Sequence, residues 1–330
     1  MAKPKVAFYW CASCGGCEET VVDLNEDILK VADAVDIVLW PVALDFKRKD
    51  VEALGDGEIA VSFINAAVRL EEQEEMVKLL RQKSGLVVAF GSCAHLGGIP
   101  GLANFYSREE IFQRAYKETP SVDNPEGTTP QKKIDIGIGE LTLPEFYNTV
   151  KTLDQTIPVD YYLPGCPPPP DLIMNAVNAI LTGELPEKGA VLAPNKALCD
   201  TCPRAETKPE KLSITEIKRP WEIKIDPEEC FLVQGLFCYG PATRSGCGET
   251  CIRANMPCRG CFGPVDGVVD QGAKALSMMA SILGVEGEEK MSEEDAKKLI
   301  EQIADPAGTF YRFSLPSSLL RRKRMEGLGG

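Results

Sequence analysis

Residues 5–17 read Lys-Val-Ala-Phe-Tyr-Trp-Cys-Ala-Ser-Cys-Gly-Gly-Cys. The first six make a short, mostly apolar strand. It runs through Cys11 into the pair Cys14-Gly-Gly-Cys17. The same order, strand and then cysteine, recurs twice. An apolar run over 86–90 leads into Gly91-Ser92-Cys93, and another over 159–163 leads into Pro164-Gly165-Cys166. Further strands are predicted over 35–40 and 58–64, with helices over 18–32, 68–82 and 171–181. Such alternation indicates a parallel α/β sheet. Ligands of a doubly wound sheet collect at the carboxyl ends of its strands. Cys14, Cys17, Cys93 and Cys166 should therefore meet at one edge.

After Gly183 the alternation stops. The stretch 199–264 is rich in Gly, Pro and Cys and poor in strand or helix patterns. It holds too little apolar surface to fold unaided, so bound metal would supply its stability. Helices are predicted again over 271–283 and 292–303, where Ser292 and Asp295 resemble a capping box. The expected division is an α/β sheet domain over 1–185 and an irregular, metal-binding domain with terminal helices over 186–330. The segment 106–157, with its Pro and Gly punctuation, reads as a surface excursion.

The chain has 13 cysteines. Twelve fall into three groups of four, the number of thiolates that one [4Fe–4S] cubane takes. The first is Cys14, Cys17, Cys93 and Cys166. The second is Cys199, Cys202, Cys230 and Cys238, and the third is Cys247, Cys251, Cys258 and Cys261. By spacing alone, Cys230, Cys238 and Cys247 can trade places. Two residues between thiolates let both reach one cluster, and Gly15 and Gly16 allow positive φ and close approach of backbone N–H to sulfur. Structural zinc is the alternative for the last eight, but it does not explain four cysteines at strand ends. Cys11 reads as a packed small hydrophobe. His95, the sole histidine, either packs or donates to a cluster sulfur. Glu18 and Glu19 suit a helix start, with a proton-relay role for Glu18 as the other reading. The basic run Arg321–Arg324 is solvated or grips a partner subunit.

A formal charge of -13 argues against nucleic acid as a partner. No run of about 18 apolar residues predicts a membrane span. The first residues lack the pattern of an export signal, which gives cytoplasm as the expected compartment. There, cysteines more often bind metal than form disulfides.

Cys14-x-x-Cys17, Gly91-Ser92-Cys93 and Pro164-Gly165-Cys166-Pro167-Pro168 together resemble the small subunit of nickel–iron hydrogenases and the cluster-bearing 20 kDa subunit of respiratory complex I. Residues 240–248, with Met256-Pro257-Cys258-Arg259-Gly260-Cys261, resemble the F420-non-reducing, methyl-viologen-reducing branch of the hydrogenases. The likeness spans about residues 4–265. It implies a flavodoxin-like domain without flavin, and three [4Fe–4S] clusters. The proximal one would sit on Cys14, Cys17, Cys93 and Cys166. The medial one would sit on Cys247, Cys251, Cys258 and Cys261, and the distal one on Cys199, Cys202, Cys230 and Cys238. It also implies a separate large subunit carrying the nickel–iron centre, and an iron–sulfur or flavin acceptor subunit such as heterodisulfide reductase. Better-known relatives use a histidine for the distal cluster, where this chain has Cys199, and three cysteines for the medial cluster, where Cys251 adds a fourth. All-thiolate ligation lowers reduction potentials and suits a low-potential acceptor. A complex I-like or membrane-hydrogenase subunit would leave the eight later cysteines unexplained.

Overall fold

The structure, a computed structural model, describes residues 3–284 and 292–323. In chain order the first half contains β1 (Lys5–Trp10), α1 (Gly16–Val22), α2 (Asp27–Ala34), β2 (Asp36–Leu39), α3 (Arg48–Glu52), β3 (Ile59–Asn65), β4 (Val68–Leu70), α4 (Glu71–Lys83), β5 (Ser84–Phe90), α5 (Ser92–Leu96), α6 (Arg108–Gln113), β6 (Lys133–Asp135), β7 (Glu140–Thr142), β8 (Phe146–Lys151), β9 (Tyr161–Leu163) and α7 (Pro170–Thr182). The main sheet has the order β2-β1-β3-β5-β9, and every pairing in it is parallel. This is the flavodoxin-like arrangement.

Its strands are apolar on both faces because both faces are covered. Val6, Phe8, Val88 and Phe90 enter one core, with Leu172, Ile173 and Val177 of α7. Ala7, Val87 and Ala89 point the other way, onto Met76, Val77 and Leu80 of α4. Alternation along a strand delivers neighbours to opposite faces.

Two sequence expectations need correction. The helix expected over 18–32 is two helices, broken where Asn25 takes a positive φ of 53° and bonds its own turn through Asp23 O at 2.9 Å. Asn tolerates this conformation better than most residues. The helix expected from residue 68 starts at Glu71. Val68–Leu70 is instead a strand paired antiparallel with β8, so tertiary pairing overrides helical periodicity. The segment 106–157 is exposed over most of its length, as a surface excursion would be, and it also carries α6, the β6–β7 hairpin and β8.

The second half is mostly irregular. Its helices are α8 (Thr250–Arg253), α9 (Gln271–Ile282), α10 (Glu293–Glu301) and α11 (Pro306–Phe310). Leu198, Phe231, Leu236, Tyr239, Ile252, Met279, Phe310 and Leu315 form its own core. Ser292 caps α10 by accepting from Asp295 N at 3.1 Å. The Asp295 carboxylate meets the Ser292 hydroxyl at 2.7 Å, so the box closes side chain to side chain.

Beyond α11 the chain returns to the sheet as a strap. Gly98 N donates to Phe313 O at 2.9 Å and Lys323 N to Asn104 O at 3.0 Å. Gln155 Nε2 donates to Pro316 O at 2.7 Å, and Asn104 Nδ2 to Arg321 O at 2.9 Å. Arg322 bonds Thr149. Of the basic run, Arg322 turns its side chain onto its own chain, Arg321 and Lys323 are held by their backbone and stay exposed as a solvated run would, and Arg324 falls outside the described residues. Among the described residues no helix is long and apolar enough to cross a membrane.

Candidate metal centres

The first cysteine group assembles where the strands end. Cys14 follows β1, and Cys17 is the second residue of α1, reached through Gly15 at φ 90°. Cys93 lies in α5, directly after β5. Cys166 follows β9. Gly91 N donates to Leu163 O at 2.8 Å and Ser92 N to Gly165 O at 2.7 Å, which ties the last two loops together. Burial first, and then Cys93, Cys166 and Cys14 as charged neighbours, push the Cys17 thiol far up. Burial and the same neighbourhood push Cys93 up to about 12. The pocket is cut to fit sulfur. A Cβ on Gly91 would stand 2.5 Å from Cys17 Sγ, and one on Gly98 2.2 Å from Cys93 Sγ.

Cys199, Cys202, Cys230 and Cys238 also come together. Burial raises Cys199 to about 12, with Cys238, Cys230 and Cys202 beside it. Gly240 packs between two of these sulfurs, and a Cβ there would lie 3.0 Å from Cys199 Sγ and 3.8 Å from Cys238 Sγ. In the third group, burial raises Cys261 to about 12, with Cys166, Cys247 and Cys251 as its charged neighbours. Cys258 is raised by burial, and then by Cys238, Cys261 and Cys247.

Two contacts join the groups. Cys166 N–H points toward Cys261 Sγ, which brings the first group beside the third, and Ser92 Oγ donates to Cys261 O. Cys258 N–H points toward Cys238 Sγ, and Tyr239 N donates to Cys258 O at 3.0 Å, which brings the third group beside the second. The spatial order is first, third, second. Other backbone amides also point at sulfur: Ile99 at Cys93, Arg204 at Cys202, Glu249 at Cys247, Gly240 at Cys238, and Gly260 N at Cys258 Sγ at 3.4 Å.

The donor set fits iron–sulfur clusters. Twelve thiols in three fours, amides aimed at sulfur and glycines where a Cβ would collide are what thiolate-held clusters require. Among the described residues no three His, Cys, Asp or Glu side chains gather as ligands of a single ion.

The remaining candidates take quieter places. Cys11 is buried in the core, and burial pushes its thiol far up. His95 packs on the Tyr162 ring, with centroids 4.6 Å apart. Burial, and then Arg244, hold it down to about 3, so it is neutral, and its Nδ1 finds no protein partner. Glu18 is 2% exposed. It accepts from Trp40 Nε1 and from Asn65 Nδ2, yet burial still raises its pKa. Glu19 is exposed.

Sequence reasoning missed two buried arginines. Arg244, 2% exposed, donates to Pro264 O at 3.0 Å and pairs with Asp266 at 2.6 Å. It thereby pins the loop after Cys261. Arg204 lies 4.0 Å over the Phe231 ring and bonds the carbonyls of Asp226 and Glu229, which fixes the approach to Cys230. Charged residues read as surface, and their only signal was their place among cysteines and glycines.

Known proteins resemble the chain along most of its length. The family described as NADH ubiquinone oxidoreductase, 20 Kd subunit, matches residues 14–180. The iron-sulfur subunit of the F420-non-reducing hydrogenase from Archaeoglobus profundus is 42% identical over 97% of this chain and 98% of its own. The corresponding subunit of the F420-non-reducing hydrogenase from Methanothermobacter thermautotrophicus is 38% identical over 97% of each. A chain of the Dm. baculatum [NiFeSe]-hydrogenase shares the fold at 17% identity and a TM-score of 0.50, over 81% of this chain and 96% of that one. With cysteines at its strand ends and such relatives along nearly its full length, the chain belongs to the family of F420-non-reducing hydrogenase iron–sulfur subunits, within the wider family of the 20 kDa subunit.

Proposed function

We propose that this chain, a hydrogenase subunit by its family, is the electron-transfer small subunit that carries electrons away from a nickel–iron centre on a separate large subunit. The observation that carries the reading is the unbroken succession of three cysteine tetrads, joined at Cys166–Cys261 and Cys258–Cys238. Cys14, Cys17, Cys93 and Cys166 would hold the proximal [4Fe–4S] cluster. Cys247, Cys251, Cys258 and Cys261 would hold the medial one, and Cys199, Cys202, Cys230 and Cys238 the distal one. When bound, such clusters supply one-electron transfer. The chain's own task is to space them, shield them and donate hydrogen bonds to their sulfurs.

Exposed Cys14 and Cys166 put the first tetrad where a large subunit can cover it. The half-buried Cys199, Cys202 and Cys230 put the second tetrad within reach of an iron–sulfur or flavin acceptor subunit, for which heterodisulfide reductase is our candidate. The working division is a sheet domain over 1–185 and a cluster domain over 186–330, in the cytoplasm.

The test is anaerobic purification with metal analysis. About twelve irons per chain, by the four-per-cubane count, and a brown colour bleached by dithionite are expected. Cys199→Ser should remove or convert one cluster and leave the signal of the first tetrad intact by electron paramagnetic resonance. A colourless protein with stoichiometric zinc would overturn the reading.

A further inference from the structure

One surface of the second half lies beside the cysteine tetrads and supplies none of their thiols. Arg219 and Arg259 line a narrow cleft with Ile217, Lys218 and Phe237. Arg312 stands close enough to be the strongest charged neighbour of Arg259, followed by Cys238 and Arg219. Three guanidinium groups thus neighbour one another, two of them in the wall of the cleft. Among the described residues none of the three forms an ion pair. Lys218 is neutralised by Glu216 at 3.1 Å. The Glu222 carboxylate accepts the Arg219 backbone N–H at 2.7 Å and leaves its guanidinium free. Arg312 spends only its Nε, on Gly308 O at 3.1 Å.

Cys238 and Cys258 give Arg259 counter-charge from within. Arg219 and Arg312, however, form no ion pair among the described residues, and such an arrangement of clustered, half-buried cations calls for an anion from outside. It is unusual on a chain of net charge -13. Trp221 stands at the rim, 78% exposed, with the Arg219 guanidinium 5.9 Å from its ring centroid. Exposed Trp beside Arg is the composition of interface hot spots. The cleft walls include Phe237 and Pro257, the residues just before Cys238 and Cys258. The patch therefore lies over the junction of the second and third tetrads.

We propose that this cleft is the docking seat for a carboxylate-bearing segment of an acidic protein, the partner that accepts electrons at the second tetrad. The partner's redox role rests on the proposed function, whereas its acidity rests on the cleft alone. Arg219, Arg259 and Arg312 clamp the carboxylates, and Trp221 packs against the partner's apolar surface.

The test uses the cluster-loaded chain in complex with its large subunit, under hydrogen. A strongly acidic [2Fe–2S] ferredoxin and the small dication methyl viologen serve as probes. Arg219→Glu with Arg312→Glu should slow ferredoxin reduction roughly tenfold or more at low salt and flatten its dependence on ionic strength. Viologen reduction should stay unchanged, which also shows that the variant is folded. Trp221→Ala should weaken ferredoxin with its salt dependence retained. An unaltered ferredoxin rate and salt slope, with viologen reduction intact, would overturn the seat. So would inhibition by inorganic phosphate far beyond that of sodium chloride at equal ionic strength, because the site would then be one for small anions. Calorimetric binding of the same ferredoxin separates this proposal from the electron-transfer reading. A binding constant insensitive to charge reversal sinks the seat, whereas reversal-sensitive binding with no electron passed supports the seat and sinks the wire.

Discussion

Gly98 shows how a single hydrogen atom in place of a methyl group decides a metal centre. Its φ of 59° is one that L side chains rarely adopt, and a Cβ would stand 2.2 Å from Cys93 Sγ. The sulfur cannot retreat without leaving its tetrad. Gly98→Ala is therefore expected to lose the first cluster alone, so that iron falls by about a third under the four-per-cubane count while the other two signals persist. Iron analysis with electron paramagnetic resonance decides it, and unchanged iron would mean that Cys93 is no ligand. The thiols themselves point the same way. A thiolate as buried as Cys238, raised by burial to about 11, needs a positive partner to ionise at neutral pH, and under the proposed function iron would be that partner.

At the scale of elements, Asp160 joins three pieces of the sheet domain. Placed just before β9, it accepts from Arg81 of α4 at 2.6 Å, from Val87 N of β5 at 2.8 Å, and from Lys188 at 2.7 Å. Burial opposes its ionisation, but Lys188, Arg81 and Val87 N outweigh burial and hold its pKa below the ordinary value. A depressed folded-state pKa contributes stability above the unfolded value, near 3.9, and loses it as pH falls through the folded one. Asp160→Asn should cost about 1.5–3 kcal/mol at pH 7, with the difference shrinking below about pH 4. Urea titrations at the two pH values measure it, and a penalty independent of pH would refute the assignment.

What could be read in advance followed the same physics. β1, β5 and β9 were legible because their apolar runs ended in Gly, Pro and Cys, and those endings located the first tetrad. Asp160 was not legible, because its three partners lie far away in sequence. Nor was β4, whose three residues look helical until β8 pairs with them. The second and third tetrads were legible as spacing. Their sharing of space, through Cys258 and Cys238, was not.

Over the whole molecule, the strap is what the sequence concealed most completely. Asp270 anchors it twice. One carboxylate oxygen caps α9 through Ala273 N at 2.9 Å, and the other accepts Leu319 N at 3.0 Å. Asp270 is 7% exposed, so its removal strands two amides. Asp270→Ala should cost about 1–2 kcal/mol and free the strap. Trypsin would then cut after Arg321, Arg322 or Lys323 faster than in the parent protein, and equal cleavage rates would dismiss the anchor.

The strap also has a bearing on how the protein is made. Asn104 reaches 217 positions along the chain to hold Arg321, and a Cβ on Gly101 would lie 2.4 Å from the Pro316 ring. A sheet can form early on the ribosome, but this side of it stays uncovered until residues 313–323 have been translated. Contacts so distant in sequence close late. Under the proposed function, the first four thiols of the nascent chain would thus be open to iron before the strap beside Cys93 is in place.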